Sequence, residues 1–315
     1  MNEAVKDIYL RIKEIDASKG LRLGRKLSRL DFKNIVYCTE DGLRVVKFYR
    51  PALTGMDRLR REAYYYTRYR SKELSEIDFV ETSEHLLAGY IVFPSLIYPT
   101  VKDLLTASPP LERRDQFLLI DEVLEGMNTY FCLETASRVA ETGNTSLLKW
   151  KCGLDLETLT TKLIERHSSA RNAVVRLALI HESISQRVVG RAIRCSFVNG
   201  DTSLGDIFYD GGLTRFIDWE FCHVGPKEVD LAGLFCSVAT NLFVHPENYT
   251  ELLQKLLAIN DLDIELFALF VIERVLTTSL HDTLMAGAAL LEHFDNVIDT
   301  MIALSGMSPQ RSRRS

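Results

Sequence analysis

The stretch FVNGDTSLGDIFYDGGLTRFIDWEFCHVGPKEVDLAGLF, residues 197–235, decides how this chain is interpreted. Asp201 and Asp206 lie five residues apart around a glycine-containing loop, and Asp218 ends the apolar strand LTRFIDW. The sequence DGG at 210–212 predicts a hairpin turn that brings Asp206 and Asp218 near one another. Clustered carboxylates repel unless a cation lies among them, so the stretch predicts a Mg²⁺ site.

The same stretch resembles the Brenner-type catalytic motif of aminoglycoside phosphotransferases and choline kinase-like proteins. That motif consists of HGD, an Asn five residues after its Asp, then IDW or IDF, then DLA. Four elements of this chain follow in the same order and spacing: Asn199-Gly200-Asp201, Asp206, Ile217-Asp218-Trp219-Glu220 and Asp230-Leu231-Ala232. The resemblance implies an α+β, two-lobed protein-kinase-like fold, with a small N-terminal antiparallel-sheet lobe and a larger, mainly helical C-terminal lobe.

The resemblance also implies roles for these residues in phosphoryl transfer from ATP or GTP. Asp201 would orient and deprotonate the acceptor hydroxyl, and Asp218 and Asp206 would hold Mg²⁺ against the phosphates. Asn199 and Asp230 would support the catalytic loop. The chain departs from the pattern twice, because Asn199 replaces the usual His and Asp206 replaces the usual Asn. The second exchange adds a negative charge beside the phosphates and bears on metal affinity.

The first part of the chain offers a lysine and a glutamate at the spacing that a kinase requires. Lys47 interrupts the alternating strand LRVVKFY, and Glu62 lies in the following helix, RLRREAYYY. By resemblance, Lys47 would contact the α- and β-phosphates and Glu62 would pair with it. The simpler alternatives are a solvated strand lysine and an ordinary acid on a helix surface.

Two further segments resemble nucleotide-binding parts of the family. Residues 28–34, SRLDFKN, correspond to the phosphate loop but lack glycine, and Asn34 matches the end of that loop. Phe93 would be the last strand residue before the hinge. The adenine ring would bind the carbonyl of Pro94 and the N–H of Leu96, and proline can serve because only its carbonyl is needed. An ordinary proline-containing turn is the alternative.

Periodicity along the chain predicts a β-rich first part and a helical second part. A helix is expected near 2–16, a hairpin turn at Glu40-Asp41-Gly42, successive helices over 100–190 and a β-rich island at 195–217. The predicted organisation is a nucleotide-binding lobe at 1–93, a hinge at 94–99, a catalytic and acceptor-binding lobe at 100–305 and a disordered tail at 306–315.

Composition excludes several classes of protein. With 46% hydrophobic and 26% charged residues, the 315-residue chain can bury a sizeable core. The six cysteines are scattered without a CxxC pair, so we expect free thiols rather than a disulfide scaffold or zinc site. The acidic, amphipathic N-terminus is not typical of a secretory signal, and no apolar run is long enough to span a membrane. We therefore expect a cytoplasmic protein.

Charge is distributed unevenly along the chain. Residues 1–72 carry 18 basic and 9 acidic side chains, whereas residues 240–305 carry 10 acidic and 2 basic ones. The acidic segment favours a cationic acceptor, although two solvated surfaces of opposite sign would look the same. Candidate acceptor-binding acids are Asp261, Asp263, Glu265, Glu273 and Asp282. No nucleic-acid-reading motif accompanies the basic residues.

The function that follows is a small-molecule kinase acting on a hydroxyl of an aminoglycoside-, choline- or amino-sugar-like acceptor. Two alternatives share the fold: a protein or lipid-sugar kinase, and a pseudokinase-like module that binds nucleotide without turnover. The sequence does not determine the acceptor, the choice between ATP and GTP, or the oligomeric state.

Overall fold

The fold was analysed in a computed structural model of the chain. The structure describes residues 10, 12–18, 20–28, 34–49, 55–70, 78–81, 89–139, 155–241, 246–259, 262–281 and 286–305. The chain forms two compact units. The first comprises Met1–Tyr98 and Phe216–His223, and the second comprises Pro99–Arg215 and Val224–Ser315.

The first unit is built on a five-stranded antiparallel sheet with the order β1-β2-β3-β5-β4. Its strands are β1 (Leu23–Lys26), β2 (Ile35–Thr39), β3 (Arg44–Tyr49), β4 (Asp78–Glu81) and β5 (Gly89–Pro94). The predicted hairpin between β2 and β3 is present. Gly42 has a φ of +73°, and its N–H donates to the carbonyl of Thr39 at 2.9 Å. A positive φ is open to glycine at little cost, which explains the Asp-Gly pair at this turn.

The two faces of this sheet bury different sets of side chains, because successive strand residues point in opposite directions. One face packs Ile35, Val46, Phe48 and Tyr90 against Ile12 from the helical residues 12–18. The other face packs against helix α1 (Gly55–Tyr65), which continues as a π-helix over Tyr66–Arg70. On that face the core consists of Tyr49, Leu59, Ala63 and Ile91. Lys47 shares the face that meets α1, because it alternates with Val46 and Phe48.

The second unit is mainly helical. Its helices are α2 (Val101–Leu105), α3 (Arg113–Phe131), α4 (Leu156–Arg166), α5 (Arg171–Val188), α6 (Glu228–Asn241), α7 (Pro246–Leu257), α8 (Ile264–His281) and α9 (Ala286–Ser305). Helix α8 is the central element, since α4, α5, α6 and α9 all pack against it. Its apolar side chains are almost fully buried, including Phe267, Phe270 and Leu276.

Short strands interrupt the helices. They are β6 (Thr135–Val139), β7 (Ala192–Val198), β8 (Ile207–Tyr209), β9 (Thr214–Phe216) and β10 (His223–Gly225), with the sheet orders β10-β7-β6 and β8-β9. The turn predicted at 210–212 lies between β8 and β9, where Gly211 has a φ of +94°. Strand β7 leads directly into Asn199 and the loop that contains Asp201.

The structure corrects one expectation about secondary structure. The region 100–190 was expected to be helical throughout, but it contains β6, which pairs antiparallel with β7 from Thr135↔Ser196 to Val139↔Ala192. Thr135, Ser137 and Arg138 of β6 are exposed, so the strand lacks the apolar alternation that would have indicated it. The tail at 306–315 lies outside the described residues.

Two expectations from composition concern the whole chain. None of the helices in the described residues is long and apolar enough to cross a membrane. Five of the six cysteines lie in the described part of the chain, and none of these five forms a disulfide. Cys152 lies outside the described residues.

Candidate active site

In the first unit, Lys47 lies at the centre of a cluster of carboxylates. It is on β3, opposite Val36 of β2 and Ile91 of β5, and only 7% of its surface is exposed. Its Nζ donates to Glu62 Oε2 at 2.7 Å and also to Asp218 Oδ1. The predicted pairing of Lys47 with Glu62 is thus present, and the ammonium group also binds an aspartate that is distant in sequence.

Helix α1 presents Glu62 to this cluster from a fully buried position. The Tyr49 hydroxyl donates to Glu62 Oε2, and the backbone N–H of Trp219 donates to Oε1 at 3.3 Å. The indole ring of Trp219 stacks on Tyr65 of the same helix, with ring centroids 3.6 Å apart and planes 12° apart. These contacts hold the segment that carries Asp218 against α1, so the position of Asp218 depends on packing as well as charge.

Asp218 adopts a backbone conformation that is unusual for its residue type. Its φ of +61° and ψ of 54° lie in the left-handed region, directly before a 3₁₀ turn at Trp219–Phe221. A non-glycine residue in this region costs about 1 kcal/mol or more, and such residues concentrate at functional sites. The side chain is 38% exposed, whereas those of Glu62 and Glu220 are almost completely buried.

Glu220 is a member of this cluster to which sequence reasoning assigned no role. Its Oε2 accepts from Asn34 Nδ2 at 2.5 Å and lies 3.5 Å from Lys47 Nζ, and its Oε1 lies 3.5 Å from Arg58 Nη1. Asn34, predicted to end the phosphate loop, is therefore bound to the same cluster as Lys47. Glu220 follows Asp218 and Trp219 in the motif, which was the available signal, but its burial could not be read from the sequence.

Burial and opposing charges determine the protonation of this cluster. Burial alone would lower the pKa of Lys47, but the Asp218 and Glu62 carboxylates raise that pKa well above its usual value. Burial raises the pKa of Glu62, and the Lys47 ammonium opposes this shift. Burial and the nearby Glu62 carboxylate also raise the pKa of Tyr49. Lys47 is therefore a fixed positive charge at neutral pH.

The cluster supplies oxygen atoms of the kind that Mg²⁺ prefers. Glu62, Asp218 and Glu220 each offer a carboxylate oxygen, and these oxygens lie within 4.8 Å of one another. Asp218 is the member with an accessible carboxylate, whereas Glu62 and Glu220 are buried and bound by N–H and O–H donors. The donor set fits a magnesium ligand at Asp218, and the other two carboxylates fit the role of holding Lys47.

The second unit positions the loop of Asn199, Gly200 and Asp201 by hydrogen bonds to its backbone. The buried Asp230 carboxylate, on α6, accepts from the N–H of Asn199 at 2.7 Å and from the N–H of Gly200 at 2.8 Å. It also accepts from the Tyr130 hydroxyl at 3.0 Å. Asn199 Oδ1 in turn accepts from the N–H of Asp201 at 3.1 Å. Burial raises the pKa of Asp230, and these hydrogen bonds oppose the shift.

Asp201 has a partner that sequence reasoning missed. Arg274, on α8, donates through Nη1 to Asp201 Oδ1 and through Nη2 to the carbonyl of Thr202 at 3.0 Å. The only signal was that Glu273 and Arg274 interrupt the otherwise apolar run LFALFVIERVL. Charged residues are seldom buried without partners, so such a pair in an apolar helix indicates buried ionic contacts.

Asp206 ends a short 3₁₀ turn, Leu204–Asp206, within the second unit. The Ser203 hydroxyl donates to Asp206 Oδ2 at 2.5 Å, and the N–H of Asp206 donates to the Ser203 carbonyl at 3.0 Å. The Asp206 carboxylate is thus oriented by the neighbouring serine.

The predicted hinge follows β5. Phe93 and Pro94 are the last two residues of that strand, opposite Val45 and Arg44 of β3. The ring centroids of Phe93 and Tyr66 are 5.7 Å apart. Leu96 follows the strand and is partly exposed. The strand ends at Pro94, one residue beyond the expected end at Phe93, and the contacts of these residues with adenine stay a prediction.

The acids considered for binding a cationic acceptor are largely engaged elsewhere. Asp263 and Glu265 both pair with Arg191, and Glu273 pairs with His181 at 2.8 Å. Asp261 and Asp282 lie outside the described residues. The ion pairs remove most of the support that these individual residues gave to a cationic acceptor.

No protein-family model matches the sequence, and no curated protein matches it. Among solved structures the chain is similar to spectinomycin phosphotransferase APH(9)-Ia in complex with ADP and spectinomycin, with a TM-score of 0.57 and 13% identity over 95% of this chain and 98% of that chain. It is also similar to the GDP complex of wild-type aminoglycoside 2′-phosphotransferase-IIIa, with a TM-score of 0.58 and 14% identity over 92% of this chain and 99% of that one. The chain has the aminoglycoside phosphotransferase fold.

A third similar structure comes from the choline kinase-like proteins, the second group whose catalytic motif the sequence resembles. It is a choline/ethanolamine kinase family protein from Mesorhizobium loti, with a TM-score of 0.58 and 10% identity over 97% of this chain and 100% of that chain. The predicted kinase-like fold, with an antiparallel-sheet lobe and a mainly helical lobe, is confirmed. At this level of identity the similarity concerns the fold, and the roles of individual residues stay predictions.

Proposed function

We propose that this protein is a small-molecule kinase that transfers the γ-phosphate of ATP or GTP to a hydroxyl group. The observation that carries the proposal is the buried Lys47, bonded to both Glu62 and Asp218, in a chain with the aminoglycoside phosphotransferase fold. A buried ammonium group with two carboxylate partners is costly to maintain. A nucleotide-binding role gives a reason for maintaining it.

Nucleotide binding is assigned to the first unit. Lys47 supplies a fixed positive charge for the α- and β-phosphates, and Glu62 holds its ammonium group in place. Asp218 would hold Mg²⁺, which neutralises charge on the phosphate oxygens when bound. Asn34, through its bond to Glu220, would place the end of the phosphate loop. The hinge residues Phe93, Pro94 and Leu96 would bind the base, with ATP and GTP both open.

The acceptor hydroxyl is assigned to the second unit, with Asp201 as its general base. Support comes from the catalytic loop, where Asp230 binds two successive backbone N–H groups and so limits the movement of Asp201. Asp206 is proposed as a further metal ligand, oriented by Ser203. Asn199 takes the supporting place of the family's histidine through its bond to the Asp201 N–H.

The proposed acceptor is a cationic alcohol such as an amino-sugar or amino-alcohol. Two similar structures are named for spectinomycin and for choline or ethanolamine, and residues 240–305 carry a net charge of −8. The ion pairs of Asp263, Glu265 and Glu273 weigh against these three acids as direct ligands. A cytoplasmic location, expected from the sequence, stays a prediction.

A nucleotide-binding module without turnover is the second candidate. Asp206 in place of the family's asparagine and the glycine-free segment 28–34 favour it, because the resemblance implies that both positions would face the phosphates. A protein or lipid-sugar kinase on the same fold differs from the main proposal only in its acceptor. Asp206→Asn separates the small-molecule kinase from the nucleotide-binding module, since a working kinase should keep or gain activity and a module should stay inactive.

The experiment that tests the proposal measures nucleotide consumption by the purified chain with Mg²⁺ and either ATP or GTP. Acceptors should include amino-sugars, amino-alcohols, neutral polyols, sugar phosphates, protein substrates and lipid-linked sugars. We expect consumption that depends on one cationic class and is abolished by Asp201→Asn. Nucleotide binding without consumption across the whole panel would favour the module. Consumption only with protein or lipid-sugar acceptors would favour the third possibility, and no nucleotide binding would refute all three.

A further inference from the structure

We propose that Arg274 is the positioning residue for Asp201, and that its bonds to the carboxylate and to the adjacent backbone fix the direction in which this carboxylate faces the acceptor hydroxyl. The inference rests on the proposed kinase function and goes beyond it, because the catalytic motif contains no counterpart of Arg274. This arginine lies 73 residues beyond Asp201, on a different element of the second unit.

The guanidinium group contacts the catalytic loop at two kinds of atom. Nη1 donates to Asp201 Oδ1, and Nη2 donates to the Thr202 carbonyl at 3.0 Å and lies 3.4 Å from the Asp201 carbonyl. A planar guanidinium that binds both a side chain and the adjacent backbone limits rotation of the carboxylate. The side chain of Arg274 is only 13% exposed, and that of Asp201 is 25% exposed. Water therefore competes little for this contact.

Arg274 is itself held in place by its surroundings on α8. The preceding residue, Glu273, is fully buried and pairs with His181 of α5 at 2.8 Å, which limits rotation of α8 about its axis. On α6, a Cβ atom added at Gly233 would lie 2.5 Å from the Thr202 carbonyl oxygen and 3.7 Å from Arg274 Nη2. Glycine thus permits α6 to approach the carbonyl that Arg274 binds.

The charged groups around Asp201 come from several elements. Arg274 on α8 is in direct contact, Asp230 on α6 binds the loop backbone, and Asp206 lies close enough to act on the charge of Arg274. Burial alone would lower the pKa of Arg274, but Asp201, the Cys236 thiol and Asp206 outweigh it and raise that pKa. Arg274 is therefore charged throughout the pH range in which a kinase operates.

An arginine beside a general base lowers its affinity for a proton, which at first sight opposes catalysis. In phosphoryl transfer the transition state is loose, and most of the acceleration comes from positioning and electrostatic stabilisation rather than from early proton removal. The gain from a fixed carboxylate direction therefore outweighs the loss of basicity.

The test compares Arg274→Gln and Arg274→Lys with a control, Arg113→Gln, which removes an exposed ion pair to Glu251 on the surface. For Arg274→Gln we expect kcat to fall by about 10²-fold, the effect of misplacing a reacting group by about 1 Å. The KM for nucleotide should stay within a few-fold. The acid limb of the kcat profile should move to higher pH, because the charge that favoured ionised Asp201 is gone. Arg274→Lys should keep the wild-type acid limb with a reduced kcat.

Several outcomes would overturn the inference. One is an Arg274→Gln protein that folds, keeps the wild-type acid limb of the kcat profile, and has the wild-type kcat once activity is divided by the amount of folded protein. If Arg274→Gln does not fold, Arg274→Lys decides, and a kcat within threefold of wild type would refute a positioning role. The Asp201 carboxyl can also be titrated by NMR in ¹³C-aspartate-labelled protein, assigned by Asp201→Asn.

The NMR titration separates this inference from the kinase proposal. A wild-type chain that consumes no nucleotide with any acceptor would refute the kinase function. The coupling of Arg274 to Asp201 would still predict a higher titration midpoint for Asp201 in Arg274→Gln than in wild type. An equal midpoint in the two proteins would refute the coupling whether or not the chain turns over.

Discussion

At the scale of single residues, Lys47 supplies the positive charge on which the stability of the first unit depends. Its ammonium neutralises a site where three carboxylate oxygens lie within 4.8 Å of one another. In Lys47→Met these charges lose their cation, so we expect the free energy of unfolding to fall by about 3–5 kcal/mol, as when one partner of a buried ion pair is removed. Urea denaturation measures the loss. Lys102→Met, at an exposed position on α2, is the matched control.

The same cluster offers a second test of the cause. Adding Glu62→Gln to Lys47→Met removes one of the unneutralised carboxylates, so the double variant should recover part of the stability lost by the single one. An equal or larger loss in the double variant would mean that packing, rather than unbalanced charge, is responsible.

Glu228, at the start of α6, gives a prediction about pH. Burial raises the pKa of this carboxyl to about 7, against an ordinary value of 4.5. Between about pH 4.5 and pH 7, the folded chain therefore binds more protons than the unfolded one. The stabilising contribution of this group is complete below about pH 4.5 and is lost as pH rises through 7. In Glu228→Gln this part of the pH dependence, on the order of 3 kcal/mol, should disappear.

Urea unfolding at pH 5 and pH 8 measures the effect of Glu228→Gln. The amide oxygen can still accept from the N–H of Asp263, which Glu228 Oε1 does at 2.9 Å, so the variant should gain on wild type at pH 8. Parallel stability curves for the two proteins would show that Glu228 does not titrate in this range. Glu157, in the first turn of α4, provides the control substitution Glu157→Gln.

Residues differ in how far the sequence predicts them. Asp201, Asp218 and Asp230 belong to a motif with fixed spacing, so local pattern was sufficient to select them as candidates. Arg274 meets Asp201 only because α8 packs beside the loop that carries Asp201, and that packing depends on contacts spread over the whole second unit. Spacing along the chain contains no information about such a contact.

At the scale of elements, the predictions succeeded where side-chain alternation and turn chemistry agreed. β2 and β3 alternate apolar residues on either side of an Asp-Gly turn, and both strands are present. Strand β6 was missed, because an exposed edge strand with the sequence TASRV needs no apolar face and forms only by pairing with β7. Its existence is a property of the sheet rather than of its own sequence.

Helix α6 lies close to the loop at 199–202, and a substitution at Gly233 tests this close approach. In Gly233→Ala, the new Cβ would lie 2.5 Å from the Thr202 carbonyl oxygen, so the helix or the loop must move. Overpacking should cost about 1–3 kcal/mol, and the roughly 1 kcal/mol that alanine gains over glycine within a helix offsets part of this cost. We expect the free energy of unfolding to fall by the difference.

Gly212→Ala is the control for this substitution, because a Cβ there would meet nothing within 4 Å. Chemical denaturation gives the stability of both variants, and nucleotide consumption reports whether the loop has moved. A Gly233→Ala variant as stable and active as wild type would mean that the loop adapts without cost, and the close approach would then carry no constraint.

At the scale of the whole molecule, the motif stretch contributes to both units. The chain leaves the second unit after Arg215, adds Phe216–His223 to the first, and returns at Val224. The predicted domain limits, 1–93 and 100–305, are continuous segments, so they assign residues 216–223 to the helical lobe. The division between Tyr98 and Pro99 falls inside the predicted hinge at 94–99. One short stretch of sequence therefore supplies Asp218 to the first unit and Asp201 to the second.

The stability of the whole chain should respond to nucleotide, since a ligand that binds only the folded state stabilises it by mass action. At a nucleotide concentration 100 times its Kd, we expect the free energy of unfolding to rise by about 2.7 kcal/mol. Thermal unfolding with ATP or GTP, each with and without Mg²⁺, measures this rise.

Asp218→Ala should lose the part that depends on Mg²⁺, because its carboxylate is the accessible one in the cluster. Asp201→Asn should keep the full effect, since its proposed partner is the acceptor. An Mg²⁺-dependent rise that survives Asp218→Ala would assign the metal to other ligands, and no rise with either nucleotide would remove the basis of the kinase proposal.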